Sequence, residues 1–239
     1  WKKANPGYGS IIKEEYMRQQ ATKAKNEPSY ENTFRRLHLC QWVANETKWI
    51  SDEKWMACAN EVNESNLRGK VCYAGLDLAS TRDVTCLALL FPDDEGGYDI
   101  INYSFIPEEN AKKRSERDKV NYDKWEREGY IIYTPGDVCD YNYIKQKIRD
   151  LSELFDIQIV AYDRWNASQI VIDLTEEGCP MIPVGQGYKT MSPATKEFET
   201  LILSGKVRHG GNPVLRWMMS NVVLTFDPAS NVKVDKSKS

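Results

Sequence analysis

The spacing of apolar and polar residues divides the chain into two regions. Over residues 1–66, apolar side chains recur at helical spacing and no strand-like alternation occurs. Ser10 can cap a first helix, Pro28 can begin a second, and Ser51 can begin a third. We therefore predict a small helical segment at the start of the chain.

After Gly69 the pattern changes to short apolar runs that alternate with turns, which is typical of strands. Three runs with short connections predict an antiparallel meander, whereas the later runs alternate with helical segments. The predicted fold class is α/β: a mixed sheet of three antiparallel strands and then parallel strands, flanked by helices. The predicted strands are 71–78, 85–91, 98–106, 130–133, 157–163 and 179–184, with strand-like pieces between 222 and 235, and the predicted helices are 107–128, 143–155, 167–177, 192–204 and one that begins at 212.

Composition narrows the class of protein. The chain has 239 residues, of which 41% are hydrophobic and 28% charged, as expected for a globular protein. No apolar run approaches the roughly 18 residues that a membrane span needs, which excludes a transmembrane helix and argues against a membrane partner. Six cysteines without a C-x-x-C pair argue against zinc and against a disulfide framework, and they favour a reducing compartment. The chain begins at Trp1, so we expect a piece of a longer protein.

Several catalytic motifs are missing from the sequence. The P-loop pattern G-x-x-x-x-G-K-[ST] does not occur, so we expect no ATP site of that kind in this piece. The pattern G-x-S-x-G is also missing, which argues against an α/β-hydrolase. With only His38 and His209, a metal site built from several histidines is excluded.

The remaining candidates are carboxylates at the ends of predicted strands. Asp77 closes the first core strand and Asp163 closes the strand 157–163, so both emerge at one edge of the sheet if these strands are parallel neighbours. Asp83 lies six residues after Asp77 and can fold back toward the same place. Converging carboxylates repel one another unless a cation holds them, and hard oxygen ligands select Mg²⁺ or Mn²⁺. A single strand-end Asp is more often a turn or cap residue, so the combination carries this prediction.

These carboxylates lie within motifs at residues 75–83 and 162–167, and two further motifs follow at 185–193 and 209–217. In this order, the four motifs resemble the nuclease domain of tailed-phage terminase large subunits, the DNA-packaging motors. Residues 1–66 resemble the helical segment that joins the ATPase to the nuclease in that family. The expected division is a helical linker subdomain at 1–66 and a nuclease domain at 67–239.

The resemblance implies an RNase H-like fold and a divalent-metal-dependent endonuclease that cuts concatemeric double-stranded viral DNA during genome packaging. By their places in the motifs, Asp77 and Asp163 match metal ligands, and Asp83 matches an additional acidic position near the metals. Two Mg²⁺ or Mn²⁺ ions about 3.5–4 Å apart are the arrangement expected for phosphodiester cleavage. The family's last acidic ligand follows a β-hairpin and is expected to lie beyond Ser239.

Four basic side chains are weaker candidates for contacts with DNA. Lys189 can contact a phosphate, or it is a solvated loop residue. His209 can orient water or contact the DNA backbone, and a structural role is an equal alternative. Arg164 follows a ligand and can bind phosphate or form a plain salt bridge, and Arg216 lies in the last motif. The mixed run of charges at 108–119 predicts a solvated helix face and not a DNA-binding stripe.

The same resemblance implies partners and a location. It implies double-stranded DNA, the terminase small subunit, the procapsid portal and the ATPase domain of the same polypeptide, all in the host bacterial cytoplasm. Two alternatives stay open: another RNase H-like nuclease of the resolvase or transposase kind, and a module that docks on DNA or the portal without cutting. The latter would lack metal-dependent cleavage.

The distribution of charge changes how the net charge of −3 is interpreted. Residues 71–179 carry 12 basic and 22 acidic groups, whereas residues 180–239 carry eight basic and four acidic groups. The acidic block holds the predicted metal ligands, whose excess charge bound cations would offset. We therefore expect contact with DNA in the basic block that follows, mainly through the phosphate backbone.

Overall fold

A computed structural model describes residues 1–26, 28–41, 49–79, 83–163 and 168–236. Two compact units are present: Asp52–Met218 is one, and Trp1–Ser51 together with Met219–Ser239 is the other. The boundary between residues 66 and 67 concerns domains of the intact protein and stays a prediction. Arg164 and the turn at 80–82 lie outside the described residues.

The smaller unit contains two helices and a hairpin. Helices α1 (Glu14–Asn26) and α2 (Pro28–Leu39) bury Met17, Ala24 and Phe34 between them, as the helical spacing predicts. The first helix begins three residues later than the Ser10 cap suggests, because the Gly7 carbonyl accepts backbone N–H groups from residues 10–12 and forms a turn there. The hairpin pairs strand β8 (Leu224–Phe226) with strand β9 (Val232–Val234).

The larger unit is built on a seven-stranded sheet with the order β4-β3-β2-β1-β5-β6 and with β7 paired to β3. Strand β1 is antiparallel to β2 and β2 to β3, whereas the β1–β5, β5–β6, β3–β4 and β3–β7 pairs are parallel. The predicted mixed sheet is therefore confirmed. The strands are β1 (Val71–Asp77), β2 (Thr85–Pro92), β3 (Tyr98–Pro107), β4 (Ile132–Thr134), β5 (Asp156–Asp163), β6 (Met181–Val184), β7 (Val207–Arg208), β8 (Leu224–Phe226) and β9 (Val232–Val234).

The helices that follow the first two differ from the predicted ones at two places. One helix was expected over 107–128, but Lys119 adopts a left-handed backbone (φ 55°) and ends the first of two helices. Asn121 then caps the second, because its side chain accepts the backbone N–H of Lys124 at 2.9 Å. None of the helices in the described parts of the chain is long and apolar enough to cross a membrane. The remaining helices are α3 (Asp52–Met56), α4 (Glu108–Asp118), α5 (Tyr122–Arg127), α6 (Tyr141–Leu154), α7 (Ser168–Glu176), α8 (Tyr188–Leu203) and α9 (Pro213–Asn221).

The second difference is the start of α8. The sequence placed Ser192 and Pro193 at its first turn, but the helix begins at Tyr188 and contains Pro193. Gly187 provides the N-cap position, and its carbonyl accepts the N–H groups of Thr190 and Met191. Four residues of the predicted loop are therefore helical, which places the 185–193 motif across the start of a helix.

The main core lies between one face of the sheet and helices α6 and α7. Strand β1 alternates strictly between exposed and buried positions, so Leu76 faces this core and Asp77 faces the other side. Leu89, Ile148 and Leu174 are each at most 1% exposed and pack in the same cluster. Burial of each such side chain contributes about 1.5–3 kcal/mol. The core thereby fixes the strand that ends at Asp77.

Candidate functional site

Two carboxylates occupy neighbouring positions at one edge of the sheet. Asp77 is the last residue of β1 and Asp163 the last of β5. Leu76 is in register with Tyr162 on these parallel strands, so the two aspartates follow at the next position of each. Adjacent strands lie about 4.8 Å apart, and side chains at matching positions project to the same face. The strand pairing thus places the two carboxylates side by side.

A chain of polar groups continues from Asp77 across β2 and β3. Cys86 is in register with Asp77, and its thiol donates to Asn102 Oδ1 at 2.7 Å. The Asn102 amide in turn donates to Ser104 Oγ at 2.9 Å, and Ser104 is fully buried. Burial, and to a smaller extent the charge of Asp77, raises the pKa of the Cys86 thiol to about 12. These hydrogen bonds were not predicted from the sequence, although polar residues at alternate positions of an apolar strand were a signal for them.

Asp83 is exposed and lies two residues before β2 begins at Thr85, at the same edge of the sheet. Within the described residues, which include all three predicted ligands, no group of three or more His, Cys, Asp and Glu side chains is arranged to hold a metal ion. The structure therefore aligns Asp77 with Asp163 but does not gather Asp83 into a three-residue group with them. The donor set itself, carboxylate oxygens with a protonated thiol beside them, fits a hard divalent cation.

Lys189 follows the end of strand β6 by five residues in the sequence. Strand β6 ends at Val184, which is in register with Asp163. Helix α8 begins at Tyr188, so Lys189 is the second residue of its first turn, and it is exposed. The first turn of α8 begins only four residues after Val184, the partner of Asp163. Helix N-termini attract anions.

His209 is buried, with 2% of its surface exposed. Its ring stacks on Trp55 with centroids 4.1 Å apart, and Nε2 lies 2.9 Å from the Trp55 carbonyl oxygen. The backbone N–H of Gly211 donates to Nδ1 at 3.3 Å, so the ring is a neutral imidazole with its proton on Nε2. Burial lowers its pKa and outweighs the hydrogen bond to Trp55. These contacts favour the structural alternative for His209.

Arg216 forms a two-pronged ion pair with Asp52. Its Nε lies 2.7 Å from Oδ1 and its Nη2 lies 2.6 Å from Oδ2, and both side chains are about half exposed. The guanidinium already has a carboxylate partner, so a contact with DNA would compete with that pair. Arg164, the fourth basic candidate, lies outside the described residues and stays a prediction.

Comparisons with known proteins agree with this geometry. The whole chain, residues 1–239, matches the family model described as "Terminase large subunit, endonuclease domain". The chain is 38% identical over 241 residues to the terminase large subunit of Enterobacteria phage HK97, covering 100% of this chain and 47% of that protein. It is 27% identical over 230 residues to protein YmfN of Escherichia coli strain K12, covering 92% of this chain and 50% of that protein. The chain thus spans about half the length of the curated relatives it matches.

The crystal structure of the HK97 bacteriophage large terminase superposes with a TM-score of 0.75 at 38% identity, over 100% of this chain and 50% of that one. Together with the strand order, this match identifies the sheet as RNase H-like, as the sequence motifs implied. The chain belongs to the family of terminase large subunits, and the part it represents is the endonuclease domain of that family.

Proposed function

We propose that this chain is the part of a phage packaging motor that cuts concatemeric double-stranded DNA in a divalent-metal-dependent reaction. The observation that carries the proposal is the pair of aspartates, Asp77 and Asp163, aligned at the ends of two parallel strands. The family match supports a nuclease. It favours a terminase over resolvase-like or transposase-like nucleases, which the sequence alone left open.

Asp77 and Asp163 would hold Mg²⁺ or Mn²⁺, with Asp83 as a supporting ligand or a ligand for a second ion. Divalent cations at such a site supply an activated water and stabilise the leaving oxygen of a phosphodiester. The chain's own contribution is orientation: the β1–β5 pairing fixes both carboxylates before any ligand arrives. Cys86, Asn102 and Ser104 occupy the adjacent positions of the sheet. The hydrogen bonds between them limit the movement of these three side chains.

Contact with DNA would come from basic groups near the same edge. Lys189 is the first of these, because it is exposed at the start of α8, a few residues beyond the strand that pairs with Asp163. Arg164 is adjacent to Asp163 in the sequence, and Arg216 would have to exchange Asp52 for a phosphate. We expect binding to depend mainly on backbone phosphates.

The intact protein would also carry an ATPase domain and would act with the terminase small subunit and the procapsid portal. We propose the host bacterial cytoplasm as the place of action. These proposals rest on the family and on the sequence motifs, since the chain spans about half of its relatives.

The proposal is tested with the intact protein, which includes the acidic ligand expected beyond Ser239, on supercoiled plasmid DNA with either Mg²⁺ or Mn²⁺. We expect cleavage by the wild type and its loss in Asp77→Asn and in Asp163→Asn. Asp156→Asn is the matched control, because Asp156 is an exposed aspartate at the opposite end of the same strand β5. Binding of Mn²⁺, followed by electron paramagnetic resonance, should be lost in the first two variants and kept in the control.

Two results would contradict this assignment. Cleavage that survives both substitutions would refute the metal ligands, and an equal loss in Asp156→Asn would show a general effect on folding. A wild type that binds DNA but never cuts it, with either metal, would favour the module that docks without cutting.

A further inference from the structure

Helix α4 leaves the sheet at the edge that carries the aspartates. Strand β3 ends beside the start of β2, where Phe105 is in register with Thr85, and α4 follows directly from Glu108. The start of β2 lies beside the end of β1, since Cys86 is in register with Asp77. Helix α4 therefore begins on the same side of the sheet as the proposed metal ligands.

Two arginines in the second half of α4, Arg114 and Arg117, share the carboxylate of Asp118. Asp118 accepts Arg117 Nε at 2.6 Å through Oδ1 and Arg117 Nη2 at 3.2 Å through Oδ2. Its Oδ2 also accepts Arg114 Nε at 3.3 Å and the Tyr122 hydroxyl at 2.8 Å. Burial opposes ionisation of Asp118, but the hydrogen bonds from Arg117 and Tyr122 outweigh it and hold the pKa of the carboxyl below its usual value. The group therefore keeps a net charge of about +1 at neutral pH.

The hydrogen bonding of Arg114 is incomplete, so its ion pair with Asp118 is not arranged for maximal stability. It is 8% exposed and its guanidinium carbon lies 5.5 Å from the Tyr122 ring centroid. Its Nη1 is buried and has no hydrogen-bond partner among the residues that the structure describes. A buried donor without a partner lowers the free energy of unfolding. The positive charge of Arg114 is therefore present at a cost in stability.

Arg117 is the accessible member of this group. Its side chain remains 58% exposed although two of its nitrogens bind Asp118. The hydrogen bond to Asp118 is the largest contribution that raises the pKa of Arg117, and the charge of Asp83 is a smaller one. Val84, the neighbour of Asp83, packs against the buried cluster that contains Tyr122, so the group formed with Tyr122 lies near Asp83 and its Arg117 faces solvent.

We propose that Arg117 binds a backbone phosphate of the DNA duplex beside the carboxylate edge, with Arg114, Asp118 and Tyr122 as positioning residues. This inference rests on the proposed function, since it assumes that DNA approaches that edge. An arginine held by a carboxylate on one side presents its remaining N–H donors in a fixed direction, which suits a phosphate oxygen. Arg114 keeps the group positive, because Asp118 alone would neutralise Arg117. The run at 108–119 is then more than the solvated helix face that its mixed charges predict.

The first test measures binding of a labelled duplex of arbitrary sequence over a range of salt concentrations, with Ca²⁺ in place of the catalytic metal. Arg117→Ala should weaken binding about tenfold at low salt, as expected for loss of a charge-assisted contact. A plot of log affinity against log salt concentration has a negative slope. The substitution should make this slope shallower by about 0.9, the value for one phosphate contact. Arg149→Ala is the matched control, because Arg149 is also an exposed arginine in a two-pronged pair, with Glu177, the residue that follows helix α7.

The second test separates positioning from charge. Asp118→Asn keeps the shape of the acceptor but adds one net positive charge, so DNA should bind at least as tightly as in the wild type. The rate of cleavage at saturating DNA should fall, because Arg117 is no longer held in one direction. An ion pair with a purely structural role would instead change thermal stability and leave both DNA measurements unchanged.

The proposal is overturned if Arg117→Ala and Arg149→Ala bind DNA with equal affinity and equal salt slope. It is also overturned if Asp118→Asn matches the wild type in both measurements. If either of these results is obtained and the wild type still cuts plasmid DNA, the proposed function stands and only the role of Arg117 is refuted. A wild type that neither binds nor cuts DNA would refute the two proposals together.

Discussion

Replacement of His209 by Phe tests how the buried imidazole stabilises the larger unit. Phe keeps an aromatic ring against Trp55 but cannot donate to the Trp55 carbonyl, which the imidazole contacts at 2.9 Å. At neutral pH and above we expect His209→Phe to lower the free energy of unfolding by about 1–3 kcal/mol, the cost of a buried acceptor that loses its partner. Ring stacking should be largely retained, so the loss reports mainly on the hydrogen bond.

The difference in the free energy of unfolding between the wild type and His209→Phe should depend on pH in a defined direction. Burial holds the pKa of His209 below the ordinary value of 6.5, so below that pH the unfolded chain binds a proton that the folded chain does not. The contribution of His209 to stability is therefore present in full above about pH 6.5 and decreases as the pH falls toward the folded-state pKa. The decrease is at most about 1.4 kcal/mol per pH unit.

Urea unfolding of both proteins at a series of pH values between 5 and 8, a range of about three units that spans the ordinary histidine pKa, measures this difference. The stability gap between wild type and His209→Phe should narrow as the pH falls. Leu89→Ala, which changes no titratable group, should instead differ from the wild type by the same amount at every pH. A gap that stays constant over the whole range would refute the buried, neutral state of His209.

Three further substitutions test the fold. Leu89→Ala should lower the free energy of unfolding by about 2–5 kcal/mol, because Leu89 is fully buried in the main core, and a loss below about 1 kcal/mol in urea unfolding would contradict that packing. Asn212→Ala should cost about 0.5–2 kcal/mol in the same measurement, since the Asn212 side chain accepts the N–H groups of Val214 and Leu215 and caps α9, whereas Asn212→Asp should be nearly neutral. Asp52→Asn should leave the melting temperature nearly unchanged, because its pair with Arg216 is exposed, and a clear decrease would show that the pair is more shielded than it is in the structure.

The strands of the sheet were predictable because their apolar runs are strong local signals. Strand β1 was expected at 71–78 and lies at Val71–Asp77, and β2 was expected at 85–91 and lies at Thr85–Pro92. The alternation that predicts a strand also states which side chains face the core, so the position of Asp77 followed from the sequence. The alignment of Asp77 with Asp163 did not, because it depends on which strands become neighbours, and that choice is made by packing far along the chain.

The features that the sequence did not reveal depend on tertiary contacts or on the backbone of single residues. Nothing in the pattern at 107–128 marks Lys119 as left-handed, since that conformation is uncommon for lysine. Strand β7 has two residues, too few for any periodicity, and it forms because β3 offers a free edge at Tyr98. The burial of His209 requires Trp55, which lies far away in the sequence. Such contacts can be predicted only once the fold is known.

The position of β1 between β2 and β5 has a consequence for the order of folding. The β1–β2 pairing joins segments that are close in the sequence, whereas the β1–β5 pairing closes a long loop whose entropy must first be lost. Asp77 and Asp163 become neighbours only when that long-range pairing forms. On the proposed function, a newly made chain would therefore bind metal and cut DNA only after this long-range pairing has formed.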